Sequence, residues 1–63
     1  MKKTFTKLNI SLELENDIIM VREISTLNLL KAKTFPVSEA VAKFNELVKI
    51  YAEKEARTSI SNY

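Results

Sequence analysis

Apolar and polar residues alternate one for one from Thr6 to Leu14: Leu8, Ile10, Leu12 and Leu14 are apolar, and Lys7, Asn9, Ser11 and Glu13 stand between them. A period of two marks a strand with one dry face and one wet face, which predicts a strand over about residues 6–13. After Leu14 the period lengthens. Ile18, Val21, Ile24 and Leu27 fall at three-to-four spacing, with Met20 and Leu30 on a neighbouring stripe. That spacing predicts a helix over about 16–32, with Asn16 or Asp17 at its N-cap and Lys31 and Lys33 suited to its C-terminus. Pro36, the single proline in a chain without glycine, breaks this pattern and fits the first turn of a second helix over about 36–55. Val37, Val41, Phe44, Val48 and Tyr51 make its apolar stripe, with Phe44 and Tyr51 expected in the core. "TSISNY", residues 58–63, holds no period and reads as a loose tail behind a domain spanning 1–57.

A lone strand cannot satisfy its own backbone or bury its own apolar face. The chain has 63 residues, no Cys and no His, so neither a disulfide nor a thiolate or imidazole metal site supplements its core. Small chains without such staples often complete their core by oligomerising. The economical arrangement is an intertwined homodimer, in which two strands pair as an antiparallel ribbon and four helices cover its apolar face. The expected fold class is therefore mainly α with one short N-terminal strand.

Charge sharpens this picture. Lys2, Lys3 and Lys7 precede every acidic residue, so the first twelve residues carry +3 from side chains while the remainder carries about −1. A basic N-terminal segment suits phosphates as well as solvent. No signal peptide or membrane span is evident: the longest apolar run is "IIMV", residues 18–21. Without an export signal or Cys, the cytoplasm is the expected compartment. With no His, Cys or Gly-rich loop, nothing points to an enzyme, a catalytic residue, a metal, a cofactor or a small-molecule substrate.

Three segments carry a resemblance. "KLNISLEL", "ENDIIMVREI" and "VSEAVAKFNELV" together resemble the strand and two helices of the ribbon-helix-helix repressors of the Arc and methionine-repressor type. The resemblance implies a small dimeric transcriptional repressor, or a plasmid or phage regulator, that binds double-stranded DNA with its ribbon in the major groove. It puts base contacts on the outward strand residues Lys7, Asn9 and Ser11; an Asn amide can pair with an adenine edge. It puts phosphate contacts at the start of the second helix, at Lys33, Thr34, Val37 and Ser38. Lys2 and Lys3 ahead of the strand add phosphate contacts from the flank. The alternative is a small protein-interaction module, inhibitor- or antitoxin-like, that adds its strand to a partner's sheet or docks through its helices.

Overall fold

A computed structural model describes residues 1–61, with side chains up to Thr58. Four strands run in chain order, β1 (Lys2–Phe5), β2 (Ile10–Glu15), β3 (Ile18–Glu23) and β4 (Leu29–Thr34), followed by one helix, α1 (Val37–Ser61). The strands form an antiparallel meander in which each pairs with its neighbour in sequence. This overturns the expected fold, mainly α with one short strand in a ribbon-helix-helix arrangement. The strand's partners come from its own chain: β2 is hydrogen-bonded to β1 on one side and β3 on the other, so it has no free edge for a second copy. The expected first helix does not exist, since its residues form β3, a turn and the start of β4.

The physical reason lies at two residues. Asn16 and Asp17 both take left-handed backbone angles, φ 50° and 63°, between the paired residues Glu15 and Ile18. That is a two-residue hairpin turn of the type whose twist matches the flanking strands, and Asn and Asp tolerate it best after glycine. The same residue types suit a helix N-cap, so the sequence admits both structures. The β-branched residues of "IIMV" then favour the extended one. The chain reverses again through Ile24–Asn28, where the Leu27 amide donates to the Glu23 carbonyl at 2.9 Å and the Glu23 amide to the Asn28 carbonyl at 2.8 Å. Leu27 itself sits at φ 63°.

The alternation of β2 faces as its pattern implies. Leu12 is fully buried, and Ile10 and Leu14 pack at the rim of the same core. Phe5, Ile19, Val21 and Phe44 complete that core, and the Phe5 and Tyr51 rings meet at 5.7 Å with a 53° tilt. Ala40, also buried, lets α1 approach the sheet closely. The opposite face is polar at its centre: Arg22 Nε donates to Glu13 across the β2–β3 pair at 3.2 Å, and Arg22 also donates to the Leu27 carbonyl at 3.1 Å. α1 begins at Val37 and continues through 58–61, where a loose tail is expected; residues 62 and 63 lie outside the described residues. No helix among the described residues is long and apolar enough to cross a membrane.

Candidate functional site

β4 is an edge strand, and all six of its residues are exposed. Lys31 stands opposite Val21 and Lys33 opposite Ile19. Directly opposed residues share a face of the sheet, so both lysines rise from the face that carries the core. α1 packs across β1, β2, β3 and the 3-10 turn at Thr6–Leu8, and β4 lies largely outside its footprint. A groove of about 190 Å³ therefore opens between β4 and the helix. Ile19 and Val21 form its floor, Lys31 and Lys33 one wall, and Leu47 and Tyr51 the other.

Phe35 extends the row of side chains begun by Lys31 and Lys33. It lies one alternation beyond Lys33, and its amide donates to the Asp17 carbonyl at 2.9 Å, so the strand-like path continues past Thr34. Lys33 Nζ stands 5.3 Å from the Phe35 ring centre, and Lys54 Nζ 5.4 Å from that of Tyr51. Each aromatic ring of the groove thus has an ammonium within cation–π range. Among the described residues neither Lys31 nor Lys33 has a carboxylate at ion-pair distance, whereas Arg22 pairs with Glu13 and Lys43 with Glu46. The groove is apolar at its base and positive at its rim.

The residues singled out from the sequence are dispersed by this fold. Asn9 caps the 3-10 turn at φ 58° and clips two loops together: its amide Nδ2 donates to Ser25 Oγ at 2.9 Å, and its Oδ1 accepts from the Ser25 amide at 3.0 Å. Ser11 is 5% exposed, between Thr4 and Arg22 on the sheet face away from α1. Lys7 lies in the 3-10 turn, and its backbone amide donates to Glu55 at 3.0 Å. Lys2 and Lys3 sit on β1, at the far edge from β4. Lys33 and Thr34 end β4 and lead through Phe35 and Pro36 into Val37 and Ser38, so these four are brought together by the β4–α1 junction. Lys31 and Phe35, which flank the expected phosphate contacts Lys33 and Thr34, join Lys33 in the groove. Their signal is the alternation Lys31, Lys33, Phe35, which reads as a basic helix end once residues 16–32 are taken as helical.

Among the described residues no cluster of His, Cys, Asp or Glu is arranged to hold a metal ion. Comparison with family models, with curated proteins and with solved structures finds no match to this chain.

Proposed function

We propose that this chain is a small protein-interaction module that accepts an extended segment of a partner as a fifth strand on β4. The observation that carries this reading is the edge itself: six exposed residues beside a groove that α1 leaves open. An outer strand presents a row of unpaired N–H and C=O groups, and an added strand gains affinity from main-chain hydrogen bonds and specificity from alternate side chains. Leu29 and Leu30, 51% and 55% exposed, give the same edge an apolar end that a partner would cover. The cytoplasm is the compartment in which we place this activity, on the absence of Cys.

Duplex DNA is the competing ligand. The cations do not form one track for it: β1 and β4 are three strand spacings apart, about 14 Å, with α1 packed across the intervening face. The test is selection of binders from a random displayed decapeptide library, followed by amide NMR and hydrogen exchange with the selected peptides. Shifts and new protection along Leu29–Thr34 are the expected result. Failure to select any peptide that perturbs β4, together with salt-sensitive binding to random duplex DNA, would replace this reading with a nucleic-acid one.

A further inference from the structure

We infer that the partner strand is acidic at alternate positions and carries an apolar residue at the next alternate position, in the pattern carboxylate-x-carboxylate-x-apolar. This inference rests on strand addition at β4 and specifies its ligand. On the groove side, the added strand meets a row of three side chains in fixed order: Lys31, Lys33, Phe35. Opposed residues on neighbouring strands lie close enough to interact pairwise, opposite charges favourably and like charges unfavourably. Two carboxylates opposite Lys31 and Lys33 supply the counter-charge that the described residues do not. The apolar residue then falls beside Phe35, at the end of the groove. Lysine stems can lie along apolar surface while their ammonium groups stay in water, and Lys31 and Lys33 line the groove together with Ile19 and Val21.

The same charges select against a second copy. Antiparallel pairing of β4 with β4 opposes lysines to lysines, and β1, the other edge, carries Lys2 and Lys3. Lysines on edge strands are a recurrent device against self-association. Here they also face an aromatic-walled groove, which a purely protective charge does not require.

The test uses the full chain and four synthetic peptides. One is Thr-Glu-Thr-Glu-Thr-Leu-Thr, one is its reverse to allow either strand direction, and the other two carry Lys in place of Glu. Binding is followed by amide and methyl NMR titration. A Glu peptide should shift the amides of Leu29–Thr34 and of Phe35, and bind roughly tenfold tighter than its Lys counterpart. Lys31→Glu with Lys33→Glu, both at exposed positions, should reverse the preference. Lys31→Gln with Lys33→Gln should abolish it, and this milder variant keeps the test readable if the charge reversal does not fold. Equal binding of Glu and Lys peptides along β4 overturns the acidic pattern and leaves strand addition standing. No shift at β4 with any peptide, including library-selected ones, overturns both. Tighter occupation of the groove by an oligothymidine strand than by the Glu peptides assigns the lysines to phosphates and overturns the inference.

Discussion

Asn9 joins two parts of the molecule through one amide group, and its left-handed backbone is the conformation that ends the 3-10 turn. As a base-reading residue it would be dispensable to the fold; as a clip it is not. Asn9→Ala is expected to cost about 2 kcal/mol, from two lost hydrogen bonds and an unfavourable φ. Asn9→Gly keeps the backbone angle at ease and should cost roughly half as much. Urea denaturation of both variants checks this, and equal midpoints would mean that the backbone angle is irrelevant. Leu27 presents the opposite case. It adopts φ 63° and is 68% exposed, so it carries strain with little burial in return. Leu27→Asn should raise the melting temperature by a few degrees, the shift that about 0.5–1 kcal/mol gives in a domain of this size. An unchanged melting temperature would show that the turn relaxes around leucine.

At the scale of elements, the β2–β3 hairpin is the centre of the sheet and Leu12 the centre of the hairpin. Leu12→Ala should cost about 2–5 kcal/mol, enough to unfold much of so small a protein at room temperature. Ala32→Ser, on the exposed β4, should change stability by less than about 0.5 kcal/mol. Thermal melts by circular dichroism separate the two. The inward side of β2 was legible because its alternation has one interpretation: Ile10, Leu12 and Leu14 cannot share a face in any helix. Phe44 and Tyr51 were legible on α1 for the same kind of reason, at helical spacing. Residues 16–32 were not. Asn16 and Asp17 serve equally as cap or hairpin turn, and Ile18–Val21 is a continuous apolar run without a period of its own. Tertiary context decided between them, because β3 gives β2 a hydrogen-bonding partner that a helix could not. The groove was hidden by the same choice: Lys31, Lys33 and Phe35 form a row only when β4 is extended.

For the molecule as a whole, both sheet edges bear lysine pairs, Lys2–Lys3 on β1 and Lys31–Lys33 on β4. Edge-to-edge contact between copies sets like charges against each other. The chain alone is therefore expected to sediment with the mass of one copy and to melt at a temperature independent of its concentration. A melting temperature that climbs with concentration would instead point to the exposed helix residues Val37 and Val41 as a contact between copies. The order of the elements bears on how the protein is made. Every strand pairs with the one just before it, so the sheet can assemble progressively as the polypeptide leaves the ribosome, with short loop closures and little entropic delay. The helix that covers Phe5, Leu12, Ile19 and Val21 is synthesised after all four strands. Until it emerges, the nascent sheet has a naked apolar face, the kind of surface that chaperones hold and that aggregates in their absence. A chain halted at residue 36 is expected to remain insoluble or chaperone-bound. Supplying residues 37–61 as a separate peptide should restore dispersed amide resonances, and a soluble, folded 1–36 fragment would refute this order of events.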